Sequence, residues 1–169
     1  MAGKHTILFD ENLTLGTGNV LAAIRAAATG AAASLVRVTR VEIWQVGTTT
    51  AELVRGAMGE RDTAGTLTMT ATSPKNASVG GSTSGLTGNT APAGGTARSG
   101  TDSSADSGGT YTNQRAFGFH NLNGYLWKPD KSGEELVIPP GKLWCVRLLA
   151  TPTGTTGWGI CVDLEEDEA

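Results

Sequence analysis

The alternation of apolar and polar residues limits the fold of this chain more than any other feature. In the segment LVRVTRVEIWQVG one set of positions is apolar, namely Val36, Val38, Val41 and Ile43. The other set is charged or polar, namely Arg37, Arg40, Glu42 and Gln45. Successive side chains of a β-strand point to opposite faces, so this period of two predicts a long strand with one buried face. The alternation slips near Thr39, which predicts a β-bulge there.

The stretch ELVIPPGKLWCVRLL predicts two short strands joined at a corner. Pro139 and Pro140 lack a backbone donor and therefore belong at an edge or corner of a sheet. Gly141 gives the chain the freedom to leave that corner. Beyond it, alternate positions carry large apolar side chains that we expect to share a buried face, namely Trp144, Val146 and Leu148.

Two cysteines, Cys145 and Cys161, lie on either side of the segment ATPTGTTG. If that segment is the loop of a final hairpin centred near Thr153, the cysteines are cross-strand neighbours. This geometry is compatible with a disulfide, and two half-buried thiols are the alternative that a reducing compartment favours.

The composition is typical of a chain made of strands and turns. Only 17% of the residues are charged and 38% are apolar, while Gly, Ser and Thr are plentiful. A further alternating segment places Leu67, Met69 and Ala71 on one face, and turn residues separate the segments. We therefore predict an all-β fold, a single-domain β-sandwich or jelly roll of about seven or eight antiparallel strands.

Two segments do not share this alternation. Residues 1–34 begin with HTILF, which can form a strand, and continue into an alanine-rich stretch that is either a short helix or an extended connection. We expect them to form an N-terminal arm beside a sandwich that spans residues 35–169; the alternative is a first strand followed by a helix packed on the same domain. Residues 78–110 are mostly Gly, Ser and Thr and include no aromatic residue. Because such a segment buries little apolar area, we predict a long flexible insertion there.

Charge and hydropathy argue against several classes of function. The net charge is −3 and the lysines and arginines are scattered, so we expect no nucleic-acid binding. No run of about 18 apolar residues predicts a membrane span. No signal peptide is recognisable either, so we expect synthesis in a cytoplasm.

The sequence has no pattern that predicts catalysis or cofactor binding. The two histidines, His5 and His120, lie far apart and have no partners at the spacing of zinc ligands. The segment GSTSG has Thr83 where a hydrolase elbow needs serine. We therefore expect no enzyme, no metal and no cofactor.

From Val36 to the C-terminus, the order of segments resembles that of small jelly-roll proteins encoded among tailed-phage structural genes. These are the capsid decoration or cement proteins. The segments that carry the resemblance are VRVTRVEIWQVG, AELVRGAMGERDTAGT and GYLWKPDKSGEELVIPPGKLWCVRLLATPTGTTG, followed by VDLEE. The resemblance implies a homotrimer on the exterior of the virion capsid, made in the host cytoplasm and bound to the major capsid protein.

Two sets of residues are candidates for these contacts. HTILF can add as an extended strand to a neighbouring chain, so we expect capsid contacts at His5, Ile7, Leu8 and Phe9. Self-association would cover apolar side chains near the proline corner, so we expect trimer contacts at Trp127, Val137 and Ile138.

A second hypothesis assigns another role to the same fold. A carbohydrate- or receptor-binding module of a virion would present aromatic side chains that stack on sugar rings. The candidates are Tyr111, Tyr125, Trp127 and Trp158. Packing in the core would explain each of these aromatic residues about as well.

Overall fold

The computed structural model describes residues 3–15, 19–27, 35–48, 50–62, 67, 69, 74–76, 86–88, 96–99 and 109–167. Every regular element within these ranges is a β-strand. The strands are β1 (Gly3–Leu13), β2 (Val20–Arg25), β3 (Leu35–Gln45), β4 (Leu53–Arg61), β5 (Lys75–Asn76), β6 (Thr87–Gly88), β7 (Thr96–Ser99), β8 (Tyr111–His120), β9 (Tyr125–Trp127), β10 (Leu136–Ile138), β11 (Leu143–Leu148) and β12 (Trp158–Asp167). The all-β prediction is confirmed.

The strands form two sheets that pack face to face. The order in sheet A is β10-β3-β12-β1-β5, and β9 pairs with β3 on the same edge as β10. The order in sheet B is β6-β7-β2-β11-β4-β8. All pairings are antiparallel except the short contact between β6 and β7. The predicted β-sandwich is therefore confirmed.

The main antiparallel pairs are nested along the sequence. β1 pairs with β12, β2 with β11, β3 with β9 and β10, and β4 with β8. The first and third of these pairs lie in sheet A, and the second and fourth lie in sheet B. This order is that of a long hairpin folded over a core. β9 and β10 both pair with β3, and β5, β6 and β7 are additional short strands.

The bulge predicted in β3 is confirmed. Asp163 of β12 pairs with Arg40 and Leu164 pairs with Val38, which leaves Thr39 as an extra residue. Because the bulge restores the alternation, the apolar residues on both sides of it face the core between the sheets. The three β11 residues predicted to share a buried face also lie in this core, namely Trp144, Val146 and Leu148.

A second apolar cluster covers the outer face of sheet B. Its buried members are Val20, Ala23, Leu67, Met69, Leu143 and Cys145. Both faces of β2 and β11 are therefore covered, which explains why all positions at the centre of these strands are apolar or small. Leu67 and Met69 are buried as predicted, but they lie in no strand and pack on the outer face of sheet B, not in the core between the sheets. Ala71 lies outside the described residues.

The prediction that residues 1–34 form an arm outside the sandwich is wrong. β1 pairs with β12 on one side and with β5 on the other. β2 lies between β7 and β11 in sheet B, and its first five residues are fully buried. Val20–Arg25 is thus a central strand, and neither a helix nor a surface connection. Small side chains fit in β2 because a strand lies on each side of it and an apolar cluster covers each face of the sheet at this strand.

The prediction that residues 78–110 form an insertion outside the sandwich is wrong where the structure describes them. Thr96–Ser99 pair with β2, and Thr87–Gly88 pair in turn with these residues. Leu86 belongs to the core between the sheets. Most other residues of this segment lie outside the described ranges.

The predicted final hairpin is also wrong. β11 lies in sheet B and β12 lies in sheet A, so the connection between them crosses from one sheet to the other. Cys145 faces the outer cluster of sheet B, whereas Cys161 is in sheet A, and both are buried thiols outside any disulfide. The two cysteines are therefore not cross-strand neighbours and form no disulfide.

The proline corner is confirmed. Pro139 and Pro140 lie between β10 of sheet A and β11 of sheet B, where the chain changes sheets. Gly141 has a φ of 77°, a conformation that glycine adopts without the steric cost of a side chain. Its N–H donates to the carbonyl of Ala26 at 2.9 Å, which fixes the corner to the end of β2.

Candidate functional site

The residues predicted to contact a capsid lie on both faces of β1. His5 and Ile7 are buried between the sheets, and His5 Nε2 lies 3.7 Å from a carboxylate oxygen of Glu166. Leu8 points away from the core and is 51% exposed, and the side chain of Phe9 lies outside the described part of the structure. A capsid contact through His5 or Ile7 is therefore wrong, because neither side chain reaches the surface.

The residues predicted to form trimer contacts are mostly internal. Trp127 and Ile138 are buried in the core of the single chain, and the guanidinium of Arg115 lies 5.5 Å from the centre of the Trp127 ring. Only Val137 of the three is partly exposed. Trp127 and Ile138 thus serve the fold, and the contact prediction is wrong for both.

The aromatic side chains proposed for sugar stacking are also held by internal contacts. Trp158 is fully buried, and its indole N–H donates to the carbonyl of Gly154 at 2.9 Å. Tyr125 stacks on Phe117 with ring centres 4.4 Å apart, and burial raises the pKa of its hydroxyl. The guanidinium of Arg147 lies over the ring of Tyr111 at 4.0 Å. Trp158 therefore has no exposed face, while Tyr125 and Tyr111 are partly buried and each has one face covered by an internal contact.

Four connections meet at one end of the sandwich, which we call the loop end. They follow β1, β3, β8 and β11 in the chain. The N–H of Leu15 donates to Thr155 O at 2.8 Å, and the N–H of Val46 donates to Gly157 O at 2.8 Å. The backbone N–H groups of Thr153 and Gly154 donate to the Glu52 carboxylate. These bonds join loops that are distant in the sequence into one rigid surface.

A buried amide pair lies beneath the loop end. Asn121 Nδ2 donates to Gln45 Oε1 and to Thr50 O, each at 2.9 Å, while Asn121 Oδ1 accepts from the N–H of Glu52 at 3.0 Å. Gln45 Nε2 donates to the carbonyls of Gly154 and Thr156. The sequence pattern grouped Gln45 with the outward residues of β3. In the structure it faces inward, where its amide forms hydrogen bonds with the loops and with Asn121.

Replacing Asn121 with alanine is expected to lower the free energy of unfolding by about 2 to 4 kcal/mol, because buried donors and acceptors lose their partners. Chemical denaturation monitored by tryptophan fluorescence measures the change. The matched control is Asn123→Ala in the same turn, where the side chain is exposed and makes no hydrogen bond in the described part of the chain. We expect the control to change stability by less than about 0.5 kcal/mol. Equal effects of the two substitutions would contradict the role assigned to the network.

The loop end also carries exposed apolar side chains. Four of them are between 38% and 75% exposed, namely Val46, Leu53, Leu122 and Leu149. We call these four residues the loop-end patch. Leu53 is the most exposed member and lies beside a shallow depression that Thr151 and Pro152 also line. Leu53 is the first residue of β4 and the other three lie in loops, so the patch places apolar surface on a strand end and on loops that hydrogen bonds hold in place.

An open groove lies beside β3 and β9, and Trp44 forms part of its wall. It has a volume of about 410 Å³ and is lined by Glu42–Gln45 and Asn121–Leu126. Trp44 points away from the core and lies across β12, where a Cβ atom on Gly159 would overlap its ring. The absence of a side chain at Gly159 therefore lets the indole rest on the backbone of β12. We call this site the Trp44 groove.

Charged residues on the outer face of sheet A form an ordered network beside the groove. Arg40 binds both Glu42 and Asp163, and its Nη1 lies 3.2 Å from Asp163 Oδ2. Thr6 Oγ1 donates to Asp163 Oδ1 at 2.7 Å. Burial and the neighbouring Asp163 carboxylate raise the pKa of Cys161 to about 11. This thiol therefore stays protonated at neutral pH and lacks the thiolate that a nucleophile requires.

Trp44 was missed as a candidate although its position in the sequence carries a signal. It occupies the parity of Arg40 and Glu42 after the bulge, so the alternation places it on the polar face of β3. A large aromatic residue on the polar face of a strand indicates a surface contact or a binding site, because its side chain is not part of the core. The tryptophans chosen by sequence, Trp127 and Trp158, occupy inward positions instead.

The described part of the chain holds neither a cluster of metal-ligand side chains nor a membrane-spanning helix. Within it, no three side chains of His, Cys, Asp or Glu come together as a metal site would require. The same part of the chain contains no helix with the length and apolar character needed to cross a membrane. In comparisons with known proteins, no protein-family model, no curated protein and no solved structure matches the chain.

Proposed function

We propose that this chain is a capsid decoration protein of a tailed phage, which binds the major capsid protein on the exterior of the head as a homotrimer. The loop-end patch is the observation that carries the proposal. The resemblance in the sequence and the β-sandwich architecture support it. The function is structural, because the chain stabilises the shell by contact rather than by a reaction.

The physical argument rests on the combination of exposed apolar surface and rigidity. Contiguous apolar patches on soluble proteins commonly mark contacts with other proteins. Binding is weakened when loops must be ordered first, and the loop end avoids much of this cost because hydrogen bonds already fix it. Attachment therefore involves the loop end, in place of the N-terminal segment, which is part of the sheets.

The test uses heads that lack the protein, prepared from the phage that encodes it. We expect the purified chain to sediment with these heads and Leu53→Ser/Leu149→Ser to bind at least about tenfold more weakly, a difference of about 1.4 kcal/mol. The control is Leu8→Ser, which removes a similarly exposed leucine from the outer face of sheet A. Light scattering is expected to give a mass three times that of the 17.3 kDa chain.

Two results would contradict the proposal. The first is failure of the unaltered chain to bind heads, and the second is equal binding by the double variant and the Leu8 control. A monomeric mass both in solution and on the heads would contradict the trimer alone. The unfolding transition of each variant shows whether a loss of binding comes from a loss of structure.

A further inference from the structure

Trp44 differs from the other three tryptophans of the chain in its surroundings. Trp127, Trp144 and Trp158 are buried, whereas Trp44 is partly exposed and lines an open groove. One side of its indole rests on the β12 backbone at Gly159. The ring is therefore held in place before any ligand arrives, so binding against it costs little conformational entropy.

Polar groups that can form hydrogen bonds lie beside the ring. The Asn123 amide is exposed and makes no hydrogen bond in the described part of the chain, so it has both donors and an acceptor to offer. Glu42 binds Arg40 through Oε2, which orients the carboxylate and leaves Oε1 as an acceptor. Gln45 and Asn121 are occupied by the loop-end network and serve as a fixed base for the groove.

We infer that the Trp44 groove binds a neutral saccharide, with one pyranose ring against the indole and its hydroxyl groups bonded to Glu42 and Asn123. A pyranose presents an apolar face of C–H groups and a rim of hydroxyls, which matches an aromatic surface bordered by a carboxylate and an amide. The volume of about 410 Å³ lies in the range of small-ligand sites and accommodates one or two sugar units.

The charge of the groove favours a neutral ligand over an acidic one. Among the residues that line it, all of which the structure describes, Glu42 is the one charged side chain. A sialic acid, uronic acid or phosphate at this place would approach a carboxylate, and like charges repel at short range. The pairing with Arg40 reduces the repulsion without removing the carboxylate from the groove wall.

An array of neutral and acidic oligosaccharides tests the inference on the intact chain. We expect binding to one or more neutral glycans built of hexose or N-acetylhexosamine units, and no binding to their sialylated forms. Titration with the bound glycan is then expected to change the fluorescence of Trp44, the tryptophan that reaches solvent. Trp44→Ala is expected to weaken binding at least about tenfold. Asn123→Ala, at an exposed position, is expected to weaken it severalfold without changing stability.

Leu8→Ala is the matched control, because Leu8 is exposed on the same sheet but does not line the groove. Its affinity for the glycan is expected to equal that of the unaltered chain. Absence of binding to every neutral glycan at millimolar concentration would overturn the inference, and so would unchanged binding by both Trp44→Ala and Asn123→Ala. Leu122 belongs to both the loop-end patch and the groove, but the head-binding variants alter Leu53 and Leu149 outside the groove, so either proposal can fail without the other.

Discussion

A chain that begins at Leu35 is expected not to fold. This deletion removes β1 and β2, which are internal strands of sheet A and sheet B. β12 would lose one of its two neighbours over most of its length, and so would β11. The core would also lose Ile7, Leu21 and Ile24, all fully buried. The free-energy cost of so many cavities and unpaired backbone groups exceeds the usual free energy of unfolding of a domain, which is about 5 to 15 kcal/mol.

Circular dichroism and size-exclusion chromatography of the truncated chain measure the effect. We expect aggregation or the spectrum of an unfolded chain, with no cooperative thermal transition. A second deletion that begins at Asn19 retains β2 and loses only β1, and it separates the contributions of the two sheets. A soluble chain from Leu35 with a melting temperature near that of the full chain would contradict the internal role of both strands.

The sequence predicted correctly those strands in which one face is buried and the other is open. β3 is the clearest example, because a period of two and a single slip at Thr39 determine both the strand and its bulge. Each side chain of β3 faces either solvent or the core, so apolar and polar residues alternate along the sequence. The prolines at 139 and 140 were informative for a similar reason, since a missing backbone donor restricts them to a corner.

β2 could not be recognised in this way because both of its faces are covered. The second apolar cluster lies on one side and the main core on the other, so the alternation disappears. Alanine then suggested a helix, but neighbouring strands overrode that local preference. The pairing of β7 with β2 was missed for a related reason, because Thr, Ala, Arg and Ser at 96–99 carry no apolar pattern.

The connection between β11 and β12 shows another limit of reasoning from sequence. A loop rich in Gly, Thr and Pro can close a hairpin or cross between two sheets, and its residues do not distinguish the two outcomes. The nested pairing of distant strands decides the matter here, because β11 pairs with β2 and β4 while β12 pairs with β1 and β3. The candidate site depends on the same tertiary information, since Trp44 and Gly159 meet only when β3 and β12 pair.

Replacing Gly59 with alanine is expected to lower the free energy of unfolding by about 3 kcal/mol or more. Gly59 of β4 lies opposite a bulge in β8, where Met58 pairs with Arg115 and Gly59 pairs with Asn113. A Cβ atom at Gly59 would overlap the carbonyl oxygen of Thr112 and lie 2.8 Å from the backbone N of Gln114. Both atoms belong to the backbone, so no change of side-chain rotamer relieves the overlap.

Gly118→Ala is the matched control for Gly59→Ala, because it adds the same methyl group to the same pair of strands. A Cβ atom at Gly118 would lie 3.6 Å from the Val54 carbonyl oxygen, which is an ordinary contact. Alanine also restricts the unfolded chain more than glycine does, so we expect a change between zero and about 1 kcal/mol of added stability. Urea denaturation of the two variants compares them directly. If Gly59→Ala were as stable as Gly118→Ala, the close approach of β8 to β4 at the bulge would be wrong, because a backbone overlap of that kind must either displace β8 or unfold the chain.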